Sequence, residues 1–300
     1  MDFNFDKIFN YILAFMSGII LYILCDKIFN IEGITDPTPT PTATPTPIIG
    51  YKFNESDGLI KAVGEYIVNK ANAIDKYGDI STWDVSSVTD MSGLFQQATS
   101  FNENISNWDV SSVNDMSYMF DGAISFNQDL SSWNVCSVTD MSYMFMGAIS
   151  FNGDIGCWNV SKVTIMEGMF EGATSFNQDL SRWNVGSVTD MNYMFSGATA
   201  FNGDISSWDV RSVKDMRGVF EEATSFNGDI SRWDVSSVTD MGEMFLKATS
   251  FNQDISRWDV SSVTNMEPVV MFAGANSFKQ DISSWTSTDN QSCIKKCRSA

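Results

Sequence analysis

Apolar side chains recur along most of the chain with a fixed period of 25 residues. The tryptophans show this period most clearly, because eight of them follow one another at that interval and the ninth comes 27 residues later. They are Trp83, Trp108, Trp133, Trp158, Trp183, Trp208, Trp233, Trp258 and Trp285. A period of this length is typical of a solenoid, in which stacked units share one core. The sequence therefore predicts an α/β repeat solenoid over residues 79–285, with eight full units and a partial ninth.

The unit at residues 129–153 indicates what one coil contains. Its first apolar run, Leu130-x-x-Trp133-x-Val135, suits a short parallel strand whose inward side chains stack on those of the next coil. A second apolar run at helical spacing accompanies Thr139 and Asp140, which predicts one or two helical turns with that pair as the N-cap. The apolar residues of this second run are Val138, Met141, Met144 and Phe145.

A Phe-Asn pair comes near the end of each unit, from Phe101–Asn102 to Phe251–Asn252. The pair falls where neither the strand nor the helical turns would supply backbone partners. We expect the asparagines to form a buried column that hydrogen-bonds backbone groups of neighbouring coils.

The N-terminal residues do not share the repeat. Residues 8–25 are mostly apolar and just long enough to span a bilayer, which predicts an uncleaved single-pass anchor within a segment at 1–28. The alternative is a cleaved signal peptide, but the acidic start and the lack of a clear small-x-small cleavage site favour the anchor. The orientation stays open because Lys7 and Lys27 balance each other.

A linker and a cap are expected between the anchor and the repeats. Residues 29–50 form a Thr/Pro-rich linker. The alternating prolines at 36–47 favour polyproline II, and this stretch would space the repeats about 35 Å from a bilayer. Residues 51–78 predict an amphipathic helical cap that covers the first coil, and residues 286–300 form a C-terminal tail. The apolar residues of the cap recur at helical spacing and are Leu59, Ile60, Val63, Tyr66, Ile67 and Ala71.

Charge and composition exclude several classes of function. The chain carries a formal net charge of −19 and has no histidine. Such a surface repels phosphates, so we expect no nucleic-acid partner. Without histidine no Ser/His/Asp or Cys/His nucleophile can be built, which leaves paired carboxylates as the one catalytic route. A catalytic pair should be unique in its surroundings, whereas the candidate carboxylates recur in nearly every unit, so we expect no enzyme and no cofactor.

The cysteines do not have the spacing of a zinc site. Cys136 and Cys157 lie in neighbouring units but four residues out of register, about 13 Å along a strand, and are therefore predicted to be unpaired. A column of aspartates raises the alternative of calcium binding. The simpler interpretation is that these aspartates bond amides of adjacent turns. They are Asp79, Asp129, Asp154, Asp179, Asp204, Asp229, Asp254 and Asp281.

Three strings carry a resemblance to a known family: DISTWDVSSVTDM at residues 79–91, MSYMF at 116–120 and 141–145, and GATSFNQDLS at 172–181. They resemble the short surface-protein repeat of bacterial and mycoplasma lipoproteins, which belongs with the BspA-like leucine-rich repeats. The resemblance implies a right-handed, leucine-rich-repeat-like solenoid that serves surface attachment and partner recognition, without enzymatic activity. In that family the Ile80-x-x-Trp83-x-Val85 run corresponds to the strand.

Polar residues that flank each tryptophan are expected to point outward and to form the binding face, since solenoids commonly bind through an extended concave sheet. We refer to them as the tryptophan-flanking face. They are Asp84, Asp109, Asn134, Asn159, Arg182, Asn184, Asp209, Arg232, Asp234, Arg257 and Asp259.

The order of anchor, linker and repeats predicts a membrane-anchored surface protein whose repeat domain is exposed outside the cell and binds an unknown protein or glycan. The alternative is a structural component of an envelope or cell surface that associates with itself.

Overall fold

The computed structural model describes residues 50–266 and 268–285. All of the described residues belong to one compact unit. The predicted anchor at residues 8–25, the linker except for Gly50, and the tail at 286–300 lie outside the described residues. Within the described ranges, no helix combines the length and the apolar character needed to cross a bilayer.

Two helices precede the repeats. Helix α1 spans Ser56–Val68 and α2 spans Lys70–Tyr77. Asn69 separates them, and its side chain accepts the N–H of Asn72 at 3.2 Å, which caps α2. Of the predicted apolar face, Ile60 and Ile67 are exposed, with 46 % and 45 % of their surface accessible. The buried residues of α1 are Leu59, Ala62, Val63 and Tyr66.

Aromatic side chains before the repeats pack against the first tryptophan. The ring centroids of Phe53, Tyr66 and Tyr77 lie 5.0, 5.9 and 5.9 Å from that of Trp83. The chain at Tyr51–Phe53 also pairs with the first coil, since Phe53 N–H donates to the Asp84 carbonyl at 2.9 Å. This segment therefore covers one end of the core, and Trp83 is only 3 % exposed.

The repeats form successive coils of 25 residues, numbered from coil 1 at residues 79–103 to coil 7 at 229–253. Coil 8 begins at Asp254 and contains a short helix α3, Pro268–Met271, next to two additional residues of the longer period. A 3₁₀ turn at Ile80–Thr82 opens coil 1. The tryptophans of all coils and the Met-Phe positions of coils 1–7 are buried in one core, and the partly buried Phe272 of coil 8 packs against it.

Each indole also links its coil to the preceding one. Trp158 donates its Nε1–H to the Leu130 carbonyl at 3.0 Å, and its ring stacks on that of Trp133 with a centroid distance of 6.5 Å. The same bond recurs from Trp108 onward at 2.9–3.2 Å. The prediction that the tryptophans lie in the core is confirmed. The hydrogen bond from each indole N–H to a backbone carbonyl offsets the free-energy cost of burying that N–H.

The predicted helical turns are absent from coils 2–7, all of whose residues are described. In coil 3, every second backbone N–H from Met141 to Gly147 donates to a carbonyl of coil 4 at 2.7–3.1 Å. Of the intervening N–H groups, those of Met144 and Met146 donate to the carbonyl three residues back, and that of Ser142 donates to Asp140 Oδ1 at 2.8 Å. An α-helix would need all of these N–H groups for bonds four residues back. The apolar residues at helical spacing therefore belong to a ribbon of turns that pairs with the next coil.

The parallel pairing between coils also lies elsewhere than predicted. The Leu130–Val135 run folds back locally, because the Trp133 N–H donates to the Leu130 carbonyl at 3.0 Å. The parallel bridges instead form one column of single residues, outside any longer strand among the described residues. This column consists of Asp90, Asp115, Asp140, Ile165, Asp190, Asp215, Asp240 and Asn265.

The asparagine column makes the predicted bonds but is mostly exposed to solvent. Asn177 donates its backbone N–H to Asn152 Oδ1 at 2.9 Å and accepts the N–H of Asn202 on its own Oδ1 at 2.7 Å. The same bond continues to Lys279, which donates to Asn252. The expectation of burial was wrong, because a side-chain ladder between neighbouring coils requires only that the side chains be stacked.

The cysteines of the repeat region, Cys136 and Cys157, are unpaired, which confirms the prediction from their registers. Cys136 is partly buried and Cys157 is exposed. The other three cysteines lie outside the described residues.

Candidate functional site

The acidic and amide residues of the tryptophan-flanking face serve the turns in which they lie. Asp84 accepts the backbone N–H of Ser86 at 3.1 Å, and Asp259 accepts that of Ser261 at 3.0 Å. Hydrogen bonds from the residue two positions later hold the pKa of both carboxyls below its ordinary value. The equivalent bond is made by Asp109, Asn134, Asn159, Asn184, Asp209 and Asp234. Backbone geometry therefore accounts for this column without a ligand.

The arginines of the same face are solvent-accessible. Arg182 directs Nη1 towards the sulfur of Cys157 at 3.8 Å, and Arg232 and Arg257 are at least partly exposed in later coils. Beside them, Asp209 pairs with Arg211 at 2.5 Å. Nothing in these contacts selects a partner, and binding by this face stays a prediction.

The aspartate column considered for calcium makes the turn bonds that the simpler interpretation predicts. Asp129 accepts the N–H of Ser131 at 2.9 Å, and Asp229 accepts that of Ser231 at 3.0 Å. Among the residues that the structure describes, no group of three or more His, Cys, Asp or Glu side chains is arranged to hold a metal ion.

A second surface lies on the ribbon of turns, where side chains from the 14th, 15th and 18th positions of each coil contact one another. We call it the tyrosine–acid face. Its charged and aromatic members differ from coil to coil and are partly buried, except Asp121, which is buried. They are Tyr118, Asp121, Tyr143, Glu167, Glu171, Tyr193, Arg217, Glu221 and Glu243.

The backbone of the ribbon aims the tyrosines. Tyr118, Tyr143 and Tyr193 have φ of 57°, 55° and 54°, in the left-handed region where side chains are uncommon. Glycine occupies the equivalent position in other coils, including Gly168 and Gly218, with φ of 55° and 59°. The left-handed conformation is therefore part of the coil, and the tyrosines are placed there despite its cost of about 1 kcal/mol.

The first cluster of the face lies in coils 2–4. The rings of Tyr118 and Tyr143 stack with a centroid distance of 4.8 Å, and the Tyr143 hydroxyl donates to the Glu167 carboxylate. Burial raises the pKa of Glu171, and its carboxylate neighbours Glu221, Glu167 and Asp121 raise it further. This cluster combines aromatic faces with negative charge that is only partly solvated.

The second cluster lies in coils 5–7 and contains a cation. The Arg217 guanidinium lies over the Tyr193 ring, 6.0 Å from its centroid, and Nη2 donates to Glu243 at 3.0 Å. The Tyr193 hydroxyl donates to the other oxygen of Glu243 at 3.2 Å. Burial raises the pKa of the nearby Glu221. Arginine, tyrosine and glutamate thus form one network across three coils.

Sequence reasoning missed this face because it followed the columns that repeat. Positions such as that of Asp84 hold aspartate or asparagine in every coil, because every coil needs the same turn bond. In coils 1–7 the 15th position is glycine, tyrosine or glutamate, and the 18th is glutamine, aspartate, methionine, glutamate, serine or leucine, while the coil keeps its shape. Variation in exposed columns of an otherwise regular repeat was the signal that could have located the tyrosine–acid face.

A family model described as "Mycoplasma protein of unknown function, DUF285" matches the chain three times, over residues 65–164, 153–233 and 203–299. Together the matches cover well over half of the chain, including nearly all of the repeats. No curated protein and no solved structure is significantly similar to the chain.

Proposed function

The chain belongs to the DUF285 family, and from that premise we propose that it is a non-catalytic, membrane-anchored surface protein whose repeats bind a protein or a glycan. In this proposal, residues 8–25 anchor the chain and residues 29–50 hold the repeats away from the bilayer. The coils form a right-handed, leucine-rich-repeat-like solenoid of the BspA-like type, displayed outside the cell.

The proposal rests on a difference between the columns that hold the coils together and the columns that form the tyrosine–acid face. Core columns such as that of Trp158 and ladder columns such as that of Asn177 repeat because they hold the coils together. The tyrosine–acid face varies, carries aromatic rings and charge, and is supported by a backbone that needs none of them. Stacked coils offer such side chains over a long, rigid surface, which suits recognition of a macromolecule.

Self-association is the alternative. Stacking of one array on the start of another is disfavoured, because Phe53, Tyr66 and Tyr77 already cover Trp83. Sedimentation of the full chain in detergent distinguishes the two roles: a concentration-independent monomer supports partner binding, whereas ordered growth with concentration supports the envelope role.

Surface labelling tests the location. The full-length protein with a C-terminal tag, in its native membrane, is exposed to an impermeant amine reagent and to protease. Access to residues 51–300 from outside is the expected result. A matched lysed sample controls for reactivity. Protection of these residues in intact cells, with labelling only after lysis, would overturn the surface role.

A further inference from the structure

Arg217 provides an internal example of how the tyrosine–acid face holds a cation. Its guanidinium lies over the Tyr193 ring and donates to Glu243, which also accepts the Tyr193 hydroxyl. An aromatic face and a carboxylate together favour a planar cation through cation–π attraction and a charge-assisted hydrogen bond.

Tyr143 occupies the same place two coils earlier. Its φ of 55° matches the 54° of Tyr193, and each ring lies against the glycine of the next coil. A Cβ atom built on Gly168 or on Gly218 would stand 2.4 Å from Cδ1 and Cε1 of the respective ring. The two rings therefore have the same support and the same direction relative to their coils.

The residue that the next coil places beside each ring differs in charge between the two clusters. Beside Tyr193 the 14th position of the next coil is Arg217, whereas beside Tyr143 it is Glu167. The charged groups that act on Glu171 are all carboxylates, but Glu221 has Arg217 and Lys247 beside it. The first cluster thus shares the tyrosine and the 18th-position glutamate of the second, and has Glu167 in place of the guanidinium. Tyr193 stands at the position equivalent to Glu243, so the carboxylates beside Tyr143 are Glu167 and Glu171.

We propose that Tyr143, Glu167 and Glu171 form a binding site for an arginine side chain of a partner polypeptide. This inference rests on the proposed function and selects a protein over a glycan as the partner. Arginine is favoured over lysine because its planar fork stacks on a ring and bonds carboxylates at the same time, as Arg217 does within the chain.

Titration with a minimal ligand tests the site. The full chain, with its tyrosine rings labelled with ¹³C, is titrated in detergent micelles with N-acetyl-arginine amide. We expect the Tyr143 resonances to shift with a dissociation constant on the order of 1 mM, and those of Tyr193 to stay in place. N-acetyl-citrulline amide, the neutral analogue, is expected to shift neither.

Two substitutions change the residue that lies beside each tyrosine, one in each cluster. Glu167→Arg places a guanidinium beside Tyr143, as Arg217 lies beside Tyr193, and is expected to weaken ligand binding at Tyr143 at least about tenfold. Arg217→Ser introduces the residue found at this position in coils 1–3 and is expected to make Tyr193 respond to the ligand as well. Asp84→Asn, on the tryptophan-flanking face, is the matched control and should leave the titration unchanged.

The proposal is overturned if Tyr143 does not respond, if citrulline shifts it equally, or if Glu167→Arg binds like the wild type. A neutral trisaccharide such as maltotriose that shifts Tyr143 where arginine does not would instead identify a glycan site. The titration does not depend on the side of the membrane on which the repeats lie. A negative titration is therefore distinct from a negative surface-labelling result.

Discussion

The ring of Tyr143 lies directly against Gly168 of the next coil. A Cβ atom on Gly168 would stand 2.4 Å from Cδ1 and Cε1 of that ring, closer than any carbon contact allows. Both residues adopt a left-handed backbone conformation, with φ of 55°. The same pair recurs as Tyr193 and Gly218. Tyr118 is instead followed at this position by Tyr143, and the two rings stack.

This contact predicts that the loss of stability in Gly168→Ala depends on the ring of Tyr143. The substitution is expected to destabilise the chain by about 2–4 kcal/mol, because backbone strain and displacement of the Tyr143 ring add together. Gly147→Ala, at φ 63° but with its nearest neighbours 3.8 Å from the added atom, controls for the strain alone and should cost about 1 kcal/mol. When Tyr143→Gly is added to both alanine variants, the difference between their free energies of unfolding should largely disappear. Equal urea midpoints for the two alanine variants would disprove the contact.

The indole hydrogen bond predicts a loss of stability in Trp158→Phe. The phenyl ring leaves the Leu130 carbonyl without its donor and a gap where the larger ring had been. We expect a loss of about 2–4 kcal/mol in the free energy of unfolding, measured by urea denaturation. Ile149→Thr, at an exposed position where later coils carry threonine, should change it by less than about 0.5 kcal/mol. An unchanged midpoint for Trp158→Phe would show that the bond contributes nothing.

The asparagine ladder predicts a local effect of Asn177→Ala. The Asn202 N–H loses its acceptor, so its amide should exchange with solvent faster, and the chain should lose about 1 kcal/mol of stability. Asn177→Asp keeps an acceptor oxygen at the same place and should retain most of the protection at neutral pH. Hydrogen exchange at Asn202 measures the difference. Equal exchange in both variants would contradict the role of the side-chain oxygen.

Two groups of carboxyls predict a stability maximum at mildly acidic pH. Burial raises the pKa of Glu171, Glu221, Asp190 and Asp215. These groups bind a proton more tightly in the folded chain, so their contribution is full at low pH and is lost as the pH rises through their folded-state pKa values. Hydrogen bonds lower the pKa of turn aspartates such as Asp254, whose contribution is lost as the pH falls below about 4.

The melting temperature should therefore rise between pH 7 and about pH 5 and fall below about pH 4. Combining Glu171→Gln with Glu221→Gln should reduce the first rise by about 2–4 °C for each kcal/mol removed. Combining Asp254→Asn with Asp259→Asn removes the same number of carboxylates, none of them with a raised pKa, and controls for net charge. If that control flattened the rise as much as the double variant, general repulsion among the acidic side chains would account for the effect.

The 25-residue period of the tryptophans shows how much of the fold can be predicted from residue spacing alone. Trp133 and Val135 could be assigned to the core because identical spacing in every unit leaves no other common place to bury them. The secondary structure was harder to predict, because apolar residues at helical spacing are compatible with any backbone conformation that turns their side chains inward. The N–H of Tyr143 bonds the Glu167 carbonyl of the next coil, and no local propensity reveals such a partner.

The candidate site was harder to predict for a related reason. Asp84 and Asp259 stood out because they repeat, yet they repeat to satisfy their own turns. Tyr193, Arg217 and Glu243 come from three different coils and meet only when the coils are stacked.

The sequence by itself determined the 25-residue unit, the number of coils and the residues that fill the core, since burial of apolar surface follows the spacing of apolar side chains along the chain. Only the tertiary structure decided which backbone groups pair and which surface side chains meet. Hydrogen bonds and charge contacts act over a few ångströms in space, and the residues that make them here are separated by about one or two coils along the chain.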